Sequence, residues 1–565
     1  MNSDFSPTHS EILVFIGAGA TTKLGMPSSA DQTQVLRKLL KSKDNAGVNQ
    51  LLKKYFSSPD LEKIAAFLGF LDGTEKSNLE VSEVDLENAK IVFGADTNKK
   101  LLQVRVLELR QEYDWNALKK ILKICPHNEK NDTLIYDAYS IIDKRLLAGQ
   151  SLKVQIYESN EEEILSPSRL QGARNFLVIF VNMMFAAAWH KIVHNDSAEV
   201  AENFEKYRKF INAFDSLMQQ EGRRFFDKGY PVCGRNFYMF TTSFASFNFE
   251  MAFPWIFMKS HRDMNNKPPY IQDHPLKLWL DYGCEHRGRK LVEDKNVVPT
   301  LEFTETVASR ENEEDHVGTP LNRAGKFYFA HGSSNWRECP VCGRMTFYFG
   351  HSPNKWEYKS KELIAPLPIP IFDVIDENSL TEKEAEWRRR LKFDSLQCMH
   401  CGSETKASDA PMIMQTMYKN TPTSFLEEIQ RNVKVSLVNA SHIVLLGYRL
   451  PPDDTIWRHA FAENVRCREE KNKAYCSVVV GHKDECRWLC GGELEKYVEN
   501  HRNADDADDW GMCAIENAIS IFGLNYVRAW TGGIPEVFGD CTECDVKQLL
   551  YPDWVEWKGT RLYNL

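Results

Sequence analysis

This chain carries no excess of positive charge: 70 lysines and arginines stand against 79 aspartates and glutamates in 565 residues, a net charge of −9. That balance gives no footing to a phosphate-tracking surface, and direct nucleic-acid binding is not expected. Long apolar runs are lacking too. The longest, Phe176 to Trp189, contains Asn182 and falls short of the roughly 20 residues of a membrane span, so it is expected to be a buried core helix, with no membrane association. The opening MNSDFSPTHSE has neither the basic start nor the apolar core of a secretory signal, which predicts a cytoplasmic location. Cysteine is sparse, at 14, and four of these form two Cys-x-x-Cys pairs; that usage points to metal in a reducing compartment, not to a disulfide framework. The chain shows no internal repeat, coiled coil or low-complexity tract, and nothing in it looks like an ATPase or a nuclease.

What is present is the composition of an ordinary globular protein, 43% hydrophobic and 26% charged, long enough for two to four folded units. Glu11–Gly17 is a short apolar run ending in glycines, as a buried parallel strand feeding a turn should read. From 31 to 170 the apolar residues recur at three- and four-residue spacing, which predicts a helical insertion, and Arg174–Gln220 is also helix-rich. Further strands are expected at Phe237–Thr242, Lys326–Ala330, Ile443–Gly447 and Tyr475–Gly481, while 308–318 reads as a solvated loop. Strands alternating with helices predict an α/β fold with a parallel, doubly wound sheet.

Four segments carry chemistry. Gly17-Ala18-Gly19, followed by Thr21 and Thr22, suits a phosphate cradle: glycines admit an anion close to the backbone and the next helix offers free N–H groups, although such turns also serve packing alone. His331-Gly332 follows a strand and precedes Cys339-x-x-Cys342. With Cys398-x-x-Cys401 this makes a closed four-thiolate site for a structural Zn2+, the 55 intervening residues reading as an insertion. Gly447-Tyr448-Arg449-Leu450-Pro451-Pro452 ends a late strand; Arg449 is either a phosphate contact or a surface ion pair. A second group, Cys486, Cys490, Cys541 and Cys544, has only one Cys-x-x-Cys pair and reads as core or reduced surface thiols rather than a second zinc site.

Together, FIGAGATTKLGMP, YFAHGSSNWRECPVCG, the second cysteine pair and GYRLPPDD resemble the sirtuin superfamily, and most closely its bacterial sirtuin-like branch that breaks down NAD in anti-phage defence. The resemblance covers 11–30 and about 230–485. It implies a Rossmann-like doubly wound parallel sheet with a four-cysteine zinc-ribbon module, and NAD as substrate. It implies His331 as the catalytic base, with Ser243 orienting the nucleophile, and Gly17, Ala18, Gly19, Thr21, Thr22, Thr242, Gly447, Tyr448 and Arg449 as NAD-binding residues. In this branch Thr-Thr-Asn-Tyr-Asp ends the second major strand; Thr241-Thr242-Ser243-Phe244-Ala245 is read as its counterpart, which leaves Ser243 where the asparagine stands. Asn248, three residues beyond Ala245, either swings into the site or, as a helix residue, caps or faces solvent, the latter being expected. Ser28-Ser29-Ala30 replaces the Asp-Phe-Arg that sirtuins use in deacylation.

The organisation that follows is 1–30, first strand and glycine loop; 31–170, helical insertion; 171–335, core continued; 336–405, zinc-ribbon module with insertion; 406–485, core completed; 486–565, C-terminal extension. The expected function is NAD glycohydrolysis to nicotinamide and ADP-ribose, gated by a separate sensor or activator subunit in a homo- or hetero-oligomer. The alternatives are a catalytically weakened nucleotide-binding regulatory subunit and, third, an NAD-dependent protein deacylase.

Overall fold

The computed structural model describes residues 11–41, 50–56, 58–72, 80–94, 98–125, 134–156, 161–194, 197–227, 242–250, 252–257, 260, 277–281, 286–292, 300–305, 321–348, 396–398, 400–414, 416, 423–451, 454–468, 473–481, 486–502 and 510–555. The expected loop at 308–318 and the insertion between the cysteine pairs lie outside these.

The central sheet has eight strands: β1 (Ile12–Ile16), β2 (Thr242–Ser246), β3 (Lys277–Asp281), β4 (Leu321–Phe329), β5 (His442–Leu446), β6 (Tyr475–Val479), β7 (Trp488–Cys490) and β8 (Val527–Trp530), in the order β7-β8-β6-β5-β1-β2-β4-β3. Every pairing is parallel except that of the edge strand β7 with β8. With its helices the sheet makes an α/β protein. β1 and β5 are apolar at nearly every position and wholly buried, as strands covered on both faces must be.

From β1 the chain builds outward through β2 to β4 and β3, then returns to the other side of β1 with β5, β6 and β8. The order reverses between β1 and β5, and at such a point the loops beyond the carboxyl ends diverge and leave a crevice. This topology places the site.

The described residues of 29–147 form seven helices, in keeping with the periodicity. Ser28 caps the first: its hydroxyl accepts from Asp31 N (3.1 Å), and the Asp31 carboxylate accepts in return from Ser28 N and Oγ. The region then closes with an antiparallel hairpin, Leu152–Ile156 and Glu161–Leu165, which helical periodicity does not reveal. The apolar run at 176–189 lies inside a 28-residue helix, Pro167–His194. By length and composition that helix can cross a membrane, but 83% of its most apolar window is buried within the protein.

Two boundaries differ from expectation. The second strand runs over Thr242–Ser246 and so continues past the expected end at 242; positions 228–241 lie outside the described residues. The sheet also continues past 485, because β8 pairs with β6 and β7 with β8. A buried network fastens this last part to the sheet. His442 contacts Leu550 O (2.8 Å) and Ser477 Oγ (2.7 Å), Arg528 Nε donates to Ser477 Oγ, and Thr242 Oγ1 lies 2.8 Å from Tyr551 Oη. Burial lowers the His442 pKa to about 3, so the imidazole is neutral there.

Candidate functional site

Four loops meet at the carboxyl ends of β1, β2, β4 and β5. The first and last touch backbone to backbone. Gly17 N donates to Leu446 O (3.0 Å) and Gly19 N to Gly447 O (3.1 Å). A Cβ on Gly17 would lie 2.4 Å from Gly447 O, and one on Gly447, at φ +61°, would lie 2.2 Å from Ala20 N. These glycines are needed for close approach. That alters the cradle reading: the Gly17 and Gly19 amides are engaged by carbonyls, and the glycines join the loops. Ala18 and Thr21 line the adjoining cleft, whereas Thr22 is exposed and donates to Gly19 O (3.3 Å). From behind, Asn203 and Tyr207 of the helix Ala198–Asp227 donate to Lys23 O and Ala20 O.

The loop after β2 holds what the sequence reading placed elsewhere. Ser243 is the second residue of β2, wholly buried beside Leu13 and Lys326. It stands three residues, about 10 Å at strand rise, short of the carboxyl end. Thr242 is farther still, tied to Tyr551. Both are corrected: they stand in the amino half of β2, away from the loops at the carboxyl ends, because the strand runs on to Ser246. At the carboxyl end stand Ser246, Phe247 and Asn248. Asn248 is buried, not solvent-facing. Its amide donates to Gly17 O (2.9 Å) and lies 3.4 Å from Glu250 Oε1. Glu250, 3% exposed, accepts from Ala252 N (2.5 Å) and from Thr21. Burial pushes its pKa up to about 6, against these hydrogen bonds. Both residues belong to Phe247-Asn248-Phe249-Glu250, which follows the strand directly.

His331, after β4, is buried, with Nε2 3.5 Å from Asp454 Oδ1; Tyr448 Oη donates to the other oxygen of Asp454 at 2.8 Å. Phe247 connects the two loops, stacked on Tyr448 at 4.6 Å and edge-on to His331 at 4.8 Å. Asp454 was not singled out from the sequence; the only signal was its place at the end of LPPDD. The turn is braced: His331 O accepts from Ile413 N (2.8 Å), Ser334 N donates to Phe249 O (2.9 Å), and Gly332, at φ +82°, faces Pro411 O, which a Cβ would meet at 1.6 Å. Tyr448 thus acts on Asp454. Arg449 is half-buried, does not border the cleft, and its carbonyl accepts from Asn517.

The cleft, about 60 Å3, is bordered by Ala18, Thr21, Phe247, Asn248 and Glu250, and is roofed by Ile135, Tyr136 and Tyr139 of the helix Leu134–Leu147. Its volume is far below the roughly 300 Å3 at which small-molecule pockets begin.

The four cysteines come together as the spacing predicts. Cys339 and Cys342 sit in the turn between Trp336–Glu338 and Met345–Tyr348, and Cys398 and Cys401 between Leu396–Gln397 and Glu404–Thr405. Each turn ends in a left-handed glycine, Gly343 (φ +66°) and Gly402 (φ +76°), whose N–H returns to the first cysteine's carbonyl. All four sulfurs lie within 4.8 Å of one another, with Cys339–Cys401 at 3.5 Å and Cys342–Cys398 at 3.7 Å. Four thiolates at about 2.3 Å from a tetrahedral ion are spaced about 3.8 Å apart, so the cluster can hold a metal such as zinc. Cys486, Cys490 and Cys544 are exposed and Cys541 half-buried; among the described residues they form no such cluster.

Neither models of known protein families nor curated proteins yield a match to this chain.

Proposed function

We propose that the chain is a sirtuin-like NAD glycohydrolase, built on a Rossmann-like doubly wound sheet with a four-cysteine zinc ribbon. The observation that carries the reading is the junction of Asn248 and Glu250 with the His331–Asp454 pair across Phe247. The order Ser-Phe-Asn-Phe-Glu at the end of the second strand restores the amide and acid of the Thr-Thr-Asn-Tyr-Asp motif.

In this reading the C1′–N bond to nicotinamide breaks, its electron pair neutralising the cationic ring, and an oxocarbenium-like ribose remains. Water adds at C1′ and gives a proton to His331, whose ring Asp454 orients; the products are nicotinamide, ADP-ribose and a proton. The Asn248 amide positions the ribose or the attacking water. Glu250 and Gly17 O hold that amide in turn, and the loops of Gly17–Thr21 and Gly447 border the nucleotide. The roof over the cleft supports a gated enzyme, opened by a separate activator subunit. The family resemblance sets such a system in bacterial anti-phage defence, where it empties the infected cell of NAD.

The test is nicotinamide release from NAD by the purified chain, without peptide, beside His331→Ala and Asn248→Ala. Release that falls at least about a hundredfold in both variants is the expected result. Binding of ADP-ribose with no release, even with the activator present, would favour a nucleotide-binding regulatory subunit. Release only with an acyl-lysine peptide would make it a deacylase.

A further inference from the structure

The turn between β5 and the helix Thr455–Arg466 has a shape that its residues do not favour. Leu450, at φ +54°, is left-handed although it carries a side chain, and it precedes Pro451, whose ring favours extended backbone there. Residues of this kind persist only where their surroundings over-determine them, and they cluster at active sites and switch regions. Asp454 is the second exception. It stands at the N-cap of the helix, where an aspartate side chain ordinarily accepts from the first free N–H groups, yet it makes no capping hydrogen bond. Its carboxylate, 4% exposed, turns instead to Tyr448 Oη at 2.8 Å and to His331 Nε2 at 3.5 Å. The turn thus gives up local stability at two positions and holds one carboxylate against His331.

The brace for this turn comes from the C-terminal region, none of whose described residues borders the cleft. Asn517, in the helix Trp510–Phe522, donates through Nδ2 to Arg449 O (3.3 Å) and Leu450 O (3.5 Å). Those are the carbonyls on either side of the left-handed Cα, so a single amide brackets the strained residue. The Leu450 side chain is wholly buried, and Phe522 of the same helix meets Phe461 of the helix that Asp454 begins, ring centres 6.0 Å apart. We propose that Asn517 is a positioning residue of the site: it fixes the left-handed turn so that Asp454 faces His331, and the C-terminal region is thereby part of the catalytic unit. The reaction it serves rests on the NAD reading, whereas the path from Asn517 through Leu450 to Asp454 is geometric.

The test is nicotinamide release by Asn517→Leu, Asp454→Asn and the double variant, with ADP-ribose affinity and with crystal structures of the wild type and Asn517→Leu. In Asn517→Leu, kcat should fall about tenfold with KM and ADP-ribose affinity unchanged. Made in Asp454→Asn, the same substitution should lower kcat by less than about twofold more, because the carboxylate it serves has lost its charge. The His331–Asp454 contact should open in the crystal. Equal losses in both backgrounds, or wild-type kcat in a folded Asn517→Leu, overturn the proposal. A wild type that releases no nicotinamide counts against the NAD reading, and the crystal structures then decide: an unchanged His331–Asp454 contact in Asn517→Leu overturns the positioning role. Asn517→Asp, of the same shape but without the donor, takes its place if the leucine variant does not fold.

Discussion

Glu250→Gln separates stability from activity. The side chain is 3% exposed and held only by hydrogen bonds from Ala252 N, Thr21 and Asn248, and burial moves its pKa from 4.5 to about 6. A shift of about 1.5 units corresponds to roughly 2 kcal/mol by which the folded state disfavours the ionised form. Because the folded pKa is the higher one, this stability is present below about pH 4.5 and lost as pH rises through about 6. Glutamine keeps an acceptor for Ala252 N and does not titrate. The variant should therefore gain on the wild type by about 1.5 kcal/mol between pH 4.5 and 7.5. In a chain of this size that is a difference in Tm that widens by roughly 1 °C, measured by paired thermal scans. Nicotinamide release, meanwhile, should fall about a hundredfold, since the carboxylate that holds Asn248 is gone. A Tm difference independent of pH would refute the electrostatic account. Undiminished release from a stabilised variant would reduce Glu250 to packing.

Asp454→Asn leaves Tyr448 a partner but removes the charge beside His331; kcat for nicotinamide release should fall ten- to a hundredfold with ADP-ribose affinity unchanged, and equal losses in both would point to collapse of the loop instead. Gly332→Ala would set a methyl 1.6 Å from Pro411 O at φ +82°. It should cost more than about 4 kcal/mol and abolish soluble expression, and a wild-type Tm would refute the contact. The wild type should carry one zinc per chain by elemental analysis and Cys398→Ser none, with a lower Tm; retention of zinc by the variant would remove Cys398 from the ligand set.

The parts of the candidate site legible in the sequence are those whose chemistry is local. The Cys-x-x-Cys pairs were exposed by spacing alone, whereas Gly17-Ala18-Gly19 and His331-Gly332, short local turns, were singled out through the sirtuin resemblance. The second strand was less legible. Residues 237–249, FYMFTTSFASFNF, mark no strand end by themselves, and the pairing of Thr242–Ser246 is with Ile12–Ile16, a partner 230 positions away (242 against 12). The unmarked strand end hid Asn248 and Glu250 and promoted Ser243. For the same reason β8, four residues reading VRAW, carries no mark of a sheet strand until β6 is beside it. Asp454 reaches His331 only through tertiary folding.

The central position of β1 has a consequence for synthesis. Its five residues, ILVFI, are made before the other strands of the sheet, but their partners are residues 242–246 and 442–446, and the second begins 430 residues later (442 against 12). At about 5–20 residues per second a ribosome needs roughly 20–90 s to cover that distance. Throughout that interval the most apolar strand of the sheet has no native neighbour on one side, and it is a short, uncharged, β-branched segment of the kind that associates between chains. The helical region built in the meantime is the first part able to complete its own core. The sheet, by contrast, is a late event that joins segments 430 residues apart, and yield in the cell should depend on how long β1 is kept from other nascent copies.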